Sequence, residues 1–297
     1  MKLFQIYLLF LISLVNLLNS QPELKSEKKV NPTPGRLFSI QTADVLNSLD
    51  LSLYVGGSFG LENSDGFLGS VAFGLGGYGD IEVSTASLLG SIFGKTENFA
   101  SIALKVKILG ETDYIPGFAI TLRTNNDWYP SSNFDLIEKK PELTKFGLRS
   151  ITYETRITHL IISMSKKMNE ISRVHLGGGI GDLRHKNLKS YFVDSFFIDE
   201  SEKMNLTFYG AIGFDFQLSE ITKLIFEAQT IPYFKVNPKT GLISPYLRKV
   251  FSAGLRVGIN NWLLIDSGFR YQDNYRGLAD TEIKLSLQAF INLISKK

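Results

Sequence analysis

The sequence predicts an all-β protein: a transmembrane antiparallel up-and-down β-barrel of about twelve strands. Three observations point there. From about Leu51 onward, apolar and polar residues alternate with period two. Several alternating runs reach about ten to fourteen residues, whereas soluble strands usually stop at about five or six and a tilted membrane strand needs about nine to eleven. The connections alternate between short turns and long polar loops, as they do at the two ends of a membrane barrel.

The start of the chain predicts export. Lys2 precedes an apolar run from Leu3 to Leu18 that ends near the small residue Ser20, the layout of a secretory signal peptide over residues 1–20. The run is slightly short for an anchor helix. No later segment is apolar for about eighteen residues, so any further crossing must use strands. Residues 21–35, QPELKSEKKVNPTPG, are charged, proline-bearing and aperiodic, which predicts a flexible leader. The barrel is expected over residues 36–297.

Composition narrows the function. A net charge of +3 is too small to point to nucleic acid as a partner. The chain has no cysteine, which removes a lipidated cysteine and any thiolate metal site. It also suits an oxidising compartment.

The strands follow in order. Leu51, Leu53, Val55 and Phe59 share one parity, then Phe67, Val71, Phe73 and Leu75, then Ile81 and Val83 opposite Asp80, Glu82 and Ser84. SIALKVKIL (Ser101–Leu109) sets Ile102, Leu104, Val106 and Ile108 against Lys105 and Lys107. Phe118, Ile120 and Leu122 oppose Thr121 and Arg123, and the muddled parity from Ile151 to Met164 predicts a bulge. Val174, Leu176 and Ile180 oppose Arg173 and His175. Four later runs begin near Leu206, Leu224, Phe251 and Leu263, and a last one runs from Ile283 to Leu293. YFVDSFF near Tyr191 reads as a loop excursion. Short turns fall at Gly76-Gly77, Gly110–Ile115, Lys167–Glu170, Ser219–Ile221 and Asn260-Asn261. Long loops are expected at Thr85–Phe99, Asn125–Lys145, Asp182–Met204, Ile231–Tyr246 and Gln272–Thr281.

If the apolar parity meets lipid, the polar parity lines the lumen. Expected there are Lys105, Lys107, Arg123, Arg173, Lys223, Glu227, Arg256, Asp266, Arg270 and Lys284. Roughly ten basic against about six acidic residues share that parity, so an open lumen would be mildly anion-preferring. Lys105, Lys107, Arg123, Arg256 and Arg270 are the residues expected to set selectivity. Asp266 has Arg256 or Arg270 within reach, and Glu227 has Lys223 or Arg248; such pairing would instead fill a narrow bore. Tyr78, Trp128, Tyr129, Tyr233, Trp262 and Tyr271 lie near strand ends, where interfacial girdles form.

FSIQTADVLNSLDLSLYVGGSFG (Phe38–Gly60), with the layout after it, resembles the lead-in and first strand of bacterial outer-membrane porin-like β-barrels. The resemblance covers Gly35 to the C-terminus and rests on layout, with no catalytic signature. It implies the bacterial outer membrane as location, with outer-membrane lipid, small polar solutes and the barrel-insertion machinery as partners. Many such barrels end in an aromatic residue read by that machinery; here INLISKK follows Phe290.

No catalytic, cofactor-binding or metal-binding set emerges. His159, His175 and His185 are the only histidines, and they share no ligand spacing. Gly177, Gly179 and Gly181 recur at every second residue, a strand spacing that relieves crowding in a curved wall and differs from a phosphate loop. The expected function is a passive channel for small polar or anionic solutes. A structural or surface-interaction barrel with a plugged lumen is the alternative, and a secreted soluble β protein is a third.

Overall fold

The computed structural model describes residues 34–59, 68–86, 99–125, 128–132, 146–273 and 281–293. The expected signal peptide, and the leader up to residue 33, lie outside these described residues. Fourteen strands form one antiparallel sheet: β1 (Asp50–Phe59), β2 (Leu68–Gly74), β3 (Gly79–Ala86), β4 (Phe99–Leu109), β5 (Gly117–Asn125), β6 (Tyr129–Ser132) and β7 (Leu148–Lys167). The rest are β8 (Ser172–Phe192), β9 (Phe196–Asp199), β10 (Lys203–Gln217), β11 (Thr222–Val236), β12 (Ile243–Asn260), β13 (Leu263–Gln272) and β14 (Glu282–Asn292). β7 pairs with both β5 and β8, and β1 pairs with β14 from Asp50↔Asn292 to Phe59↔Ile283. β6 and β9 are four-residue strips on the far ends of β7 and β8. Setting those two aside leaves a closed ring of twelve. Closure removes the free edges that would otherwise pair with other chains.

The ring is apolar outside and polar inside. On β4, Ile102, Leu104, Val106 and Ile108 are 41–54% exposed, while Ala103 and Lys105 between them are 4% exposed. Leu53 and Val55 on β1, Ile81 and Val83 on β3, and Leu285 and Leu287 on β14 repeat the outward exposure. A continuous belt of this kind rules out the secreted soluble protein, because water would drive it to aggregate. A bilayer requires it.

Short turns join the strands at one end, at residues 75–78, 110–116, 168–171, 218–221 and 261–262. Gly76 and Gly77 take φ values of 72° and 78°, a left-handed pair that a side chain would strain. The opposite end differs from the sequence expectation. β8 runs 21 residues to Phe192 and so absorbs half of the expected loop Asp182–Met204. YFVDSFF is the end of β8, a turn and the start of β9. β11 continues to Val236, which leaves only residues 237–242 of the expected loop Ile231–Tyr246.

The cause is a reversal of facing. Register shifts between Leu148 and Ser150 and between Thr152 and Glu154 mark the expected irregularity in β7. Opposite the second, Asn187 of β8 takes φ 54°. Around this level the inward face carries an apolar cluster: Leu148, Ile151, Tyr153, Leu183, Leu188, Phe234 and Ile243 are buried together. The outward face at that level carries the ion pair of Asp182 with Arg184, whose guanidinium also meets Glu202. One side of the barrel therefore projects beyond the apolar belt with a dry interior and a charged exterior.

Candidate functional site

The lumen at the short-turn end is occupied by the chain itself. Residues 34–49, ahead of β1, fold inward as a tight loop whose Arg36 and Gln41 form an isolated antiparallel bridge. Leu37 N donates to Ile40 O at 3.0 Å and Thr42 N to Gly35 O at 3.0 Å, which closes the hairpin. Pro34, Leu37, Phe38, Ile40, Ala43 and Leu46 are buried. The last residues of the expected leader thus lie inside the barrel.

The wall holds this hairpin mainly by its backbone. Lys105 Nζ donates to Gly35 O at 2.8 Å and Asp44 O at 2.5 Å. Arg256 donates to Arg36 O at 3.1 Å and Leu37 O at 2.8 Å. Glu227 Oε1 accepts from Ser39 N at 2.8 Å and Ile40 N at 3.0 Å. Ser165 Oγ accepts from Ala43 N at 2.9 Å, and Asp80 Oδ1 from Leu46 N at 2.7 Å. Side-chain contacts add to these. Arg173 forks onto Asp44 at 2.5 and 2.9 Å, and Arg36 donates to Ser70 at 2.8 Å while lying 4.2 Å above the Tyr54 ring.

Apolar seats interrupt the polar wall where the hairpin lands. Leu37 and Phe38 pack with Ile225, and Leu46 packs with Leu264 and Phe290. Gly213 makes room for the first of these: a Cβ there would lie 2.3 Å from Leu37 Cδ1. Gly179 does the same for the Tyr209 ring, whose hydroxyl would sit 2.8 Å from an added Cβ.

The residues read from the polar parity are placed as follows. Lys105, Glu227 and Arg256 meet the hairpin backbone, and Arg173 meets its Asp44. Asp266 holds Arg256 in a two-point pair at 2.7 and 2.9 Å. Lys223 reaches Asp215 at 3.0 Å, and Arg248 reaches Gln272 at 3.1 Å, so neither pairs with Glu227. Glu227 has turned to the hairpin amides instead. Arg123 meets Glu82 at 3.1 Å, and Arg270 meets Glu282 at 3.2 Å. Lys284 is buried, with Nζ 5.2 Å from the Phe38 ring centre. Lys107 is half-buried close to the turn after β4.

Of the aromatics, Tyr78 and Trp262 are exposed at the short-turn end. Tyr233 lies under the Arg248 guanidinium at 4.0 Å, and Trp128 under Lys186 Nζ at 4.3 Å. Tyr271 is half-buried on β13; the side chain of Tyr129 falls outside the described residues.

One arrangement had no signal in sequence spacing. Ser165 Oγ lies 2.8 Å from His175 Nδ1, and His175 Nε2 lies 2.8 Å from Asp215 Oδ2. The line resembles a nucleophile, its base and an orienting carboxylate. Its surroundings give it another role. Ser165 and His175 are at most 1% exposed, and the second partner of the serine oxygen is the Ala43 amide. The relay anchors the hairpin. Among the described residues no group of three or more His, Asp or Glu side chains is placed to hold a metal ion.

Several solved barrels share part of the chain's shape. A NanC porin structure aligns with a TM-score of 0.47 and 8% identity, over 82% of this chain and 100% of that one. A KdgM porin in complex with disordered oligogalacturonate aligns with a TM-score of 0.45 and 4% identity, over 81% and 98%. The translocator domain of the autotransporter NalP from Neisseria meningitidis gives 0.42 and 12%, over 82% and 88%. No family model matches the chain, and no curated protein matches it. The architecture is that of a transmembrane β-barrel, and it rests on the closed ring and its apolar belt.

Proposed function

We propose that the protein is an outer-membrane channel for small polar solutes, held shut from the short-turn end by its own N-terminal hairpin. The observation that carries this reading is the set of eight hydrogen bonds between ionised or hydroxyl side chains of the wall and the backbone of residues 35–46. A segment held in this way leaves a polar bore once it is withdrawn. In this reading residues 1–20 are a cleaved signal, the short-turn end faces the periplasm, and Arg123 and Arg270 remain on the wall of the open bore. We assign no catalytic step.

The test is single-channel conductance in planar bilayers, with a protease site inserted between Asn47 and Ser48, both exposed. The intact chain should be silent and the cut chain should conduct. A cut, correctly folded barrel that stays silent after the fragment has been washed away would refute the channel. The exposed strip Phe196, Phe197 and Ile198 on β9 favours a second reading, a barrel whose outer end contacts a partner. That reading expects silence in both forms and a phenotype on deleting β9.

A further inference from the structure

Every cradle group that meets the hairpin backbone is matched to an amide. Lys105 and Arg256 bring N–H donors to four carbonyl oxygens, those of Gly35, Asp44, Arg36 and Leu37. Glu227, Ser165 and Asp80 bring acceptors to four N–H groups, those of Ser39, Ile40, Ala43 and Leu46. Lys105, Glu227, Arg256 and Asp80 are each at most 6% exposed. They hold opposite charges in alternation around the bore, on β4, β11, β12 and β3.

This pattern selects a chemical class. A small anion would be drawn to Lys105 and Arg256 but would face Glu227 and Asp80 without a donor. A cation would meet the reverse problem. An uncharged sugar could satisfy individual groups, yet it lacks the fixed alternation of one donor and one acceptor per residue. A peptide backbone supplies that alternation and carries no net charge. Backbone hydrogen bonds of this kind give affinity with little regard to sequence. At the tip the cradle adds two side-chain demands: apolar seats for Leu37 and Phe38 against Ile225, and a small hydroxyl, Ser39, between Glu227 and Gln229.

We infer that the cradle is a binding site for the backbone of short peptides, and that the hairpin occupies it as a tethered stand-in for an oligopeptide solute. This rests on the gated-channel reading and replaces its broad solute class with a defined one. It also departs from the anion preference expected of the wall charges. Tethering explains why the stand-in prevails at rest: a covalently linked ligand acts at an effective concentration in the millimolar range. Cutting the tether turns that into an ordinary bimolecular equilibrium.

The test uses the full chain carrying the protease site between Asn47 and Ser48, folded, cut in detergent and washed. Hairpin that stays bound is chased with excess peptide. Four probes are titrated calorimetrically: a peptide of residues 34–46, a second that keeps Arg36, Leu37, Phe38, Ser39 and Asp44 and changes the other side chains, an uncharged trisaccharide, and acetate. Both peptides should bind within about tenfold of each other, and neither the trisaccharide nor acetate should bind. Both peptides should also block conductance of the cut channel.

Binding of the native sequence alone would make the cradle a private latch and overturn the inference. So would equal binding of the trisaccharide, or no binding at all. A cut barrel that conducts but ignores both peptides sinks the inference and leaves the channel standing. One that binds both peptides but never conducts sinks the channel and leaves the cradle.

Discussion

Replacing Glu227 with alanine should release the tip of the hairpin while leaving the barrel intact. Its carboxylate is 4% exposed and accepts from Ser39 N, Ser39 Oγ and Ile40 N. Alanine leaves the buried Ile40 N–H and the part-buried Ser39 N–H without a partner, each costing about 1–3 kcal/mol. Water reaching the exposed Ser39 relieves part of that, so about 3 kcal/mol of docking free energy should be lost. At about 1.4 kcal/mol per factor of ten, opening of the tip rises by about a hundredfold. Glutamine at the same position keeps a carbonyl where Oε1 now receives both amides and loses only the charge assistance, about 1 kcal/mol. Amide hydrogen exchange followed by mass spectrometry reads both. Ser39 and Ile40 should exchange about a hundred times faster in Glu227→Ala and about fivefold faster in Glu227→Gln, with the amides of β4 unchanged. A rise below about threefold in the alanine variant, or one shared equally by the barrel strands, would refute the idea that this carboxylate holds the hairpin.

Three further outcomes are expected. Cysteine at position 107 should react with a water-soluble maleimide in the intact protein, and cysteine at 105 only after the hairpin is cut away. Cysteine at 104, on the lipid face, should be unreactive in both, as alkylation mapped by mass would show. Leu104→Arg should lower stability by about 2–4 kcal/mol, the cost of a charge facing lipid near the midplane, measured by urea unfolding in lipid vesicles. His185 lies above the apolar belt, edge-on to Phe234 at 5.7 Å, where burial and then the nearby Lys203 lower its pKa. The unfolded chain therefore takes up the proton first as pH falls. Stability is fully present above about pH 6.5, the unfolded value, and is lost progressively down to the lower folded value. Protection of the Leu183 and Leu188 amides should fall between pH 8 and pH 5 in the native chain, and His185→Phe should remove that dependence.

The ring was legible because period-two alternation and turn spacing are local properties of the sequence. All five short turns fall where glycine, asparagine and charged clusters break the alternation. The upper half of the long strands was not legible, since Asp182, Arg184 and Lys186 read as loop once the lipid boundary is crossed and the faces exchange roles. The plug left a fainter trace. Ile225, Leu264 and Phe290 are apolar residues on the polar parity, and each is a seat for the hairpin or stands beside one. Read as exceptions to the pattern, they would have marked a guest in the lumen. The Ser165–His175–Asp215 line has no such trace, because register across three strands brings it together.

The hairpin's holding groups come from β3, β4, β7, β8, β11 and β12, three parts of the ring that face one another only once the sheet has curled. The final seam joins residues 242 positions apart, where Asn292 meets Asp50, and contacts of such separation are the slow ones to form. The hairpin directly precedes β1, one of the two strands of that seam. Its full set of bonds exists only in the finished ring. In the gated-channel reading, closing the ring and seating the plug would then coincide.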